Sequence, residues 1–544
     1  MIKYIILPFS AIIKRIQRGR LRRIMRGYRV LKQSGQLDRV ATVKQALTEH
    51  QLGLTKEHFS PVVMGCGIAS GEIIVRQYLL VRVGGLDLNR ALLIALGTKG
   101  GQVVFPLPKE WREILTRHGF KVANFWSALL WQFYVCALLL YGVAIIGKIA
   151  FTEIASAKKG DFCKKSYAYF VGLAAGNLPK RIDGRQSYDI ISWYMQKYAK
   201  KLQVEVIKHS VNNSSPIVID NVSVLPESSP LPELRGWGAI FKYVFWGLRA
   251  FVVALLDYSR GRWWHALLLN QAALSGQARL LPVDYLAKEY WFHNSGWIYR
   301  PLWTYDVEQA GSEIIFYFYS TNCEGFKTSP AEVPIPYGWK AANWSRYLVW
   351  DQWQADFIRK SVGPEARADV VGPIWFSSSM QDFDDIPENI VSVFDVQPMR
   401  NSFYCSLGLD IEYYIPSVAN RFLEDIYMLL SNSHLKMALK RKRDVGRFSH
   451  PHYRNTIKNL ETLSNFVMVN PDMAAWELIK KSKAVISMPY TSTALIGREL
   501  GKPSVYYDPT GMLRKDDSAA HGILILNGQE ELKAWVRKAL NVQH

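Results

Sequence analysis

Three consecutive hydroxyl residues, Thr491, Ser492 and Thr493, stand between an apolar run, Ala484 to Met488 followed by Pro489, and a helical stretch closed by Gly501-Lys502-Pro503. This order gathers hydroxyls and unpaired backbone N–H groups at a helix N-terminus, where donors and helix dipole together hold a phosphate. The plainer reading is that the hydroxyls only cap the helix. Two upstream segments add candidates. Lys440 and Lys442 belong to the basic run Lys440-Arg441-Lys442-Arg443 that ends an apolar stretch. His450, in Ser449-His450-Pro451-His452-Tyr453, stands on a turn fixed by proline, with a ring N–H to donate to a phosphate oxygen. Taken singly, a basic run is a solvated face and a His-Pro pair is a turn, so a site requires their convergence with 491–493. Glu499 and Asp508 are candidate nucleoside contacts, although Asp508-Pro509 also reads as a turn start.

Other chemistries fit poorly. His450 and His452 lack a third metal ligand at persuasive spacing, and Asp382-Phe383-Asp384-Asp385 reads as a solvated acidic loop, so no metal is expected. No GxxxxGK[ST] loop, GxSxG elbow or zinc-deaminase signature is present.

The phosphate unit needs an α/β frame. Strands at Ile390–Phe394, Leu435–Arg441, Phe466–Val469, Ala484–Met488 and Ser504–Tyr507 alternate with helices at Val418–Ser431, Tyr453–Leu463 and Met473–Ser482. Such alternation predicts a parallel sheet covered on both faces, with ligand outside the carboxyl ends of its strands. Upstream, strands are expected near Tyr290–His293 and Glu313–Ser320, followed by Leu348-Val349-Trp350, a helix over Asp351–Ser361 and Asp369-Val370-Val371-Gly372-Pro373. A strand-helix-strand unit is also expected over Gln102–Phe125, and a surface loop over Asn212–Glu233. The expected fold class is therefore α/β with two Rossmann-like domains. Its divisions are a basic arm (1–50), a first domain (51–386) and a second domain (387–544), with the second boundary in the acidic stretch Gln381–Glu388.

The chain has 544 residues and a net charge of +21, which calls for an anionic partner. Five scattered cysteines give neither a disulfide framework nor a zinc ribbon. The first 33 residues carry ten Lys and Arg and no acid, interleaved with apolar residues, which predicts an amphipathic helix for an anionic membrane surface. Charge concentrated there argues against nucleic acid as the partner. Phe125–Gly147 is uncharged over a length that spans a bilayer, and Trp237–Leu269 mixes tryptophans with basic residues as interfacial segments do. Apolar segments near 125–151 and 237–269 are therefore expected to associate with the membrane. Insertion into one leaflet is favoured, and a single spanning helix is the alternative.

The combination of MPYTSTALIGRELGKPSVYYDPTG, SHPHY upstream, and YSTN with LVWDQWQADFI further upstream resembles the bacterial surface-polysaccharide biosynthesis proteins known for a PFTS motif, read here as Pro489-Tyr490-Thr491-Ser492. The resemblance runs from about Pro282 to Val536. More loosely, the chain resembles GT-B glycosyltransferases that use CMP-activated acidic sugars, in which a His-Pro motif and a Ser/Thr pair hold the CMP phosphate. The resemblance implies donor binding by His450, Thr491, Ser492 and Thr493, with the nucleotide sugar as co-substrate, no further cofactor, and a glycan or lipid-linked glycan as acceptor. It also implies a catalytic acid before a glycine in the N-terminal half, which here means Asp183 (Ile182-Asp183-Gly184) or Glu324 (Cys323-Glu324-Gly325), without the paired-acid pattern. Arg181 and Arg185 would keep Asp183 ionised, and Glu324 follows an expected strand end. The expected activity is metal-independent transfer from CMP-nonulosonic acid at the cytoplasmic face of a bacterial inner membrane. A UDP- or GDP-sugar donor and a non-catalytic scaffold are the alternatives.

Overall fold

Apolar runs such as Ile390–Phe394 and Ala484–Ser487, buried at every position, form strands covered on both faces, as parallel sheets require. The computed structural model describes residues 2–36, 39–49, 55, 58–156, 166–179, 189–199, 203–212, 214–294, 299–321, 323–328, 337–374, 386–400, 403–404, 413–441, 446–471, 473–489 and 491–540. Among these, β1 (Tyr167–Phe170), β2 (Val206–His209), β3 (Ile217–Ile219), β4 (Val222–Pro226), β5 (Glu289–His293), β6 (Glu313–Tyr317), β7 (Arg346–Val349) and β8 (Ala368–Val370) form one sheet, in the order β3-β4-β2-β1-β5-β6-β7-β8. Only the β3–β4 pair is antiparallel. A second sheet, parallel throughout, joins β9 (Ile390–Phe394), β10 (Lys436–Lys440), β11 (Phe466–Val469), β12 (Ala484–Ser487), β13 (Ser504–Asp508) and β14 (Leu524–Asn527) in the order β11-β10-β9-β12-β13-β14. Counted within the sheet this is 3-2-1-4-5-6, the Rossmann order, whose strand sequence reverses between β9 and β12. The expected α/β class with two Rossmann-like sheets is what the chain forms.

Three expectations change. The unit over Gln102–Phe125 contains the helix Lys109–Arg117 but no sheet, only a bridge between Val103 and Val122. Prolines 106 and 108 stop the first extension and a long helix begins at Asn124, so neither extension reaches ladder length. The expected loop over Asn212–Glu233 holds the β3–β4 hairpin instead. Asp220 and Asn221 both take positive φ (46° and 66°), as the tight turn of a two-residue hairpin demands. β14 and the helix Gln529–Leu540 complete the second sheet beyond the strands read from the sequence. Most of the Gln381–Glu388 stretch, including Asp382–Asp385, lies outside the described residues.

The basic N-terminal helix runs over Ile2–Gln33. In its second half Ile24, Gly27 and Leu31 are buried while Arg18, Arg22, Arg26 and Arg29 face outward. That stripe packs on the helix Leu86–Leu96, where a Cβ at Gly27 would overlap the Leu93 carbonyl. The apolar face read from the sequence as membrane-facing is, at this end, used by the protein itself.

Among the described residues, two helices are long and apolar enough to cross a membrane, Asn124–Ser156 and Trp237–Ser259. They run antiparallel, with the Tyr258 hydroxyl donating to Gln132 Oε1 (2.6 Å) at one end and Gly247 against Ile146 further along. The almost wholly buried helix Trp264–Ala278 joins them to the body. Connectivity fixes how they can lie. β1 to β4 fall in sequence between the two helices, yet β1 pairs with β5, which follows both. A bilayer crossed by both helices would divide one hydrogen-bonded sheet. Crossing by the first alone would separate Cys66 from Asp306 Oδ1, which accepts its N–H at 3.0 Å, and Gln77 from Asn343, 3.1 Å away. Neither helix therefore spans a bilayer in this fold. A Cβ at Gly276 would overlap the Trp246 ring where the second helix meets the third. Gly276→Ala should accordingly cost roughly 1 to 3 kcal/mol, seen as a lower Tm, while Gly238→Ala, with open space around it, should not.

Candidate functional site

The motif 489–492 leaves the carboxyl end of β12, beside β9, at the point where strand order reverses. Met488 N–H donates to Phe394 O (2.7 Å), which holds the two strand ends together. Such a point opens a crevice into which ligands fall. Within the motif, Thr493 Oγ1 bonds Ser487 Oγ (2.8 Å) and Thr491 Oγ1 (3.1 Å), and Thr491 Oγ1 donates to Met488 O (2.8 Å). Tyr506 OH donates to Thr491 O (2.6 Å) and Tyr414 OH to Pro489 O (3.3 Å). The loop is thus tied from several sides before any ligand arrives.

Ser492 does something different. It stands at the N-cap position of the helix Thr493–Glu499 but makes no side-chain cap bond, so the plainer reading fails for this hydroxyl. Its Oγ accepts from Thr321 N–H and contacts Thr321 Oγ1, each at 3.2 Å. Thr321 follows β6 of the first sheet, so the motif lies where the two sheets meet. Further contacts bind the same surfaces. Lys327 Nζ pairs with Asp517 Oδ1 (2.8 Å) and Glu324 Oε1 (2.6 Å), while His521 Nδ1 (2.8 Å) and Arg498 (3.3 Å) reach Asp351. Burial alone would raise the Asp351 carboxyl, but its bonds to His521 and Gln354 N–H and the charge of Arg498 hold it below the ordinary range.

His450 is brought to the same edge. Its N–H donates to Pro398 O (2.9 Å), and Met399 bridges Ser449, so it rests against the chain leaving β9. It is the N-cap of the helix Pro451–Leu460, and its Nδ1 accepts from His452 N–H (3.2 Å). The neutral ring therefore carries its proton on Nε2. Burial, with His452 and Arg400 nearby, pushes His450 below the ordinary imidazole range and favours that neutral donor.

The remaining candidates fare differently. Lys440 ends β10 at this edge, but its amine bonds Arg441 O (3.4 Å) and Pro471 O (3.2 Å). Asp508 is wholly buried and accepts from Tyr413 OH, Thr510 N–H and Leu513 N–H at 2.8 to 2.9 Å, so it builds the 508–513 turn rather than a nucleoside contact. Glu499 is exposed in the last turn of its helix, paired with Arg498 at 3.5 Å, and is not gathered to the motif. Glu324 already accepts from Lys327 and from Ser518 Oγ (2.8 Å), so the carboxylate expected to be a base is a link between the sheets. Asp183 and Lys442 lie outside the described residues.

Residues 246–536, more than half of the chain, match the family described as polysaccharide biosynthesis PFTS motif protein. The chain belongs to this family. No curated protein matches the sequence. Among solved structures, the chain is similar to a variant of the wall teichoic acid polymerase TagF with CDPG, at 11% identity over 75% of this chain and 90% of that one, with a TM-score of 0.35. It is likewise similar to UDP-GlcNAc 2-epimerase from Methanocaldococcus jannaschii (8%, 69% and 92%, TM-score 0.35) and to sucrose-phosphate synthase from Thermosynechococcus elongatus (9%, 69% and 90%, TM-score 0.35).

One residue of this PFTS protein that sequence reasoning missed is Asp395, the first after β9, 6% exposed at the strand reversal. Tyr453 OH donates to its Oδ2, and its Oδ1 is buried without a partner among the described residues. An acid directly after the run Ile390–Phe394, apolar but for Ser392, was the available signal. Burial raises the carboxyl to about 6, against the pull of Tyr453 and Arg441. The fold thus favours the protonated form, and this contribution to stability is complete below the unfolded pKa of 3.8 and lost as pH rises through about 6. Asp395→Asn keeps an acceptor for Tyr453 without the charge. At about pH 8 it should be more stable than wild type by on the order of 3 kcal/mol, a gap that closes by about pH 4 in thermal melts.

Proposed function

We propose that the chain is a glycosyltransferase of bacterial surface polysaccharide (capsule or O-antigen) biosynthesis, moving a sugar from a nucleotide donor to a lipid-linked glycan without a metal ion. One observation carries this reading. The family motif stands at the strand reversal of a Rossmann-ordered sheet, with the His450 turn at the same edge and Thr321 of the facing sheet on Ser492. Sugar transfer from a nucleotide requires the departing phosphate to be stabilised and the acceptor hydroxyl to be deprotonated. His450 Nε2–H and the first-turn N–H groups of the helix Thr493–Glu499 supply donors for the phosphate, since Pro451 has no N–H and His452 N–H is taken by His450 Nδ1. A single preorganised donor of this kind is worth roughly 3 to 4 kcal/mol in the transition state. The preferred donor is CMP-nonulosonic acid, on the pairing of His-Pro with Ser/Thr.

Thermal melts with CMP, UDP and GDP test this. CMP at about 100 times its Kd should stabilise the protein by about 2.7 kcal/mol, and His450→Ala should remove the effect, while the lost helix cap lowers the unliganded stability by about 0.5 to 2 kcal/mol. Selectivity for UDP or GDP would replace the donor, and no response to any nucleotide would contradict the site.

The reading includes a place at the cytoplasmic face of the inner membrane, which rests on the antiparallel helix pair. Phe133 (66% exposed), Phe151 (75%), Phe241 (66%) and Phe245 (63%) belong to an outward apolar face far larger than scattered surface residues make. Because connectivity forbids crossing, the fitting arrangement is insertion of that face into one leaflet, with the outward arginines of the N-terminal helix drawn to anionic headgroups. Phe133→Glu combined with Phe245→Glu should abolish co-flotation with phosphatidylglycerol-containing vesicles without lowering Tm. Unchanged flotation would contradict this placement.

A further inference from the structure

The first sheet has its own strand reversal. From β1 the chain builds outward through β2, β4 and β3, then returns to β5 on the other side of β1. The crevice between the ends of β1 and β5 is thus the counterpart of the one that receives the motif. Its ionisable neighbours along this edge are engaged. Glu324 is held by Lys327 and Ser518, Asp351 by His521 and Arg498, and Glu227 lies 3.8 Å from Lys208. His209 at the end of β2 uses Nδ1 to accept from Val211 N–H.

His293, the last residue of β5, differs. Its Nε2 stands 2.9 Å from Gly172 O, on the chain leaving β1. A carbonyl only accepts, so Nε2 carries the proton and the lone pair of the neutral ring lies on Nδ1. Nδ1 is buried and meets no donor among the described residues. A buried polar atom without a partner calls for an explanation, and an imidazole with one nitrogen oriented by an acceptor and the other bare has the form of a general base. The titratable rings facing it are Tyr317 (5.8 Å between centroids) and Tyr319 (5.1 Å). Burial pushes Tyr317 far above the ordinary phenol range and pushes His293 below the ordinary imidazole range, against the Gly172 carbonyl, so the lone pair stays available at neutral pH. Asn294 ties this corner to the motif. Its Oδ1 accepts from Tyr319 N–H (3.4 Å), its Nδ2 donates to Ser320 Oγ (3.5 Å), and the next residue, Thr321, holds Ser492.

We propose that His293 Nδ1 is the base that takes the acceptor's proton, directly or through one water. This rests on the transferase reading above. The acceptor O–H bond breaks, its proton goes to Nδ1 and its electron pair forms the bond to the anomeric carbon. The bond from that carbon to the donor phosphate oxygen breaks, and the nucleotide leaves with that pair. The imidazolium then releases its proton to solvent. A displacement of this kind inverts the anomeric centre.

The test uses the full chain with a lipid extract of bacterial inner membrane as acceptor, and radiolabelled CMP-N-acetylneuraminic acid, UDP-N-acetylglucosamine and GDP-mannose as donors. In His293→Gln the carboxamide can still donate to Gly172 O. This variant should keep its Tm and its stabilisation by nucleotide, yet transfer label about 100- to 10,000-fold more slowly. Wild-type kcat/KM should fall on the acid side as Nδ1 protonates, and the residual activity of the variant should lack that limb. Transfer at the wild-type rate, or an unchanged acid limb, would overturn the proposal while leaving the transferase reading intact. Failure of the wild type both to transfer label from every donor and to be stabilised by any nucleotide would overturn both. Should His293→Gln fail to fold, His293→Asn with the same readouts decides the matter.

Discussion

The reversal of strand order between β9 and β12 is the constraint on which the site depends. Parallel strands need crossovers over a sheet face, and because the crossovers leaving β9 and β12 run in opposite directions their connections part at the carboxyl ends. The chain leaving β9 carries Asp395 and then Pro398 and Met399, which seat the His450 turn, while the chain leaving β12 is the motif itself. Residues far apart in sequence meet because backbone pairing places their strand ends at one edge.

The second constraint is the lock between the sheets. Thr321, Glu324 and Lys327, all on the chain after β6, engage Ser492, Ser518 and Asp517, while Asp351 after β7 engages His521 and Arg498. These contacts are partly buried, so their charges are poorly screened and the removal of one partner strands another. Glu324, which the sequence offers as a catalytic acid, is consumed in this lock. The same sheet connectivity restrains the apolar helix pair, because strands between the two helices and strands after them must share hydrogen bonds.

The second sheet was legible because its strands are short, mostly apolar and separated by helices of clear period. Ile390–Phe394 and Phe466–Val469 carry the expected bounds. The hairpin at β3 and β4 was hidden because its Asp220-Asn221 turn sits in a polar stretch rich in Ser and Pro, and composition outweighed the alternation of its apolar residues. Position along the chain singles out Ser492 and His450 as candidates, because their candidacy follows from local order. It could not identify Thr321, Asp395 or His293, whose meaning comes from what faces them across a strand end. Asp508 misled because an acid at a strand end serves a turn as readily as a ligand, and only its hydrogen bonds distinguish the two.

The structure brings the motif edge of one sheet against an edge of the other on which His293 Nδ1 is buried without a partner among the described residues. The central claim is that the nucleotide occupies the β9–β12 crevice. Hydrogen–deuterium exchange with and without CMP tests it most directly, because a bound phosphate shields the backbone N–H groups it accepts from. Slower exchange concentrated in 395–400, 446–453 and 488–495 is the predicted result, and protection elsewhere with these three segments unchanged would contradict it.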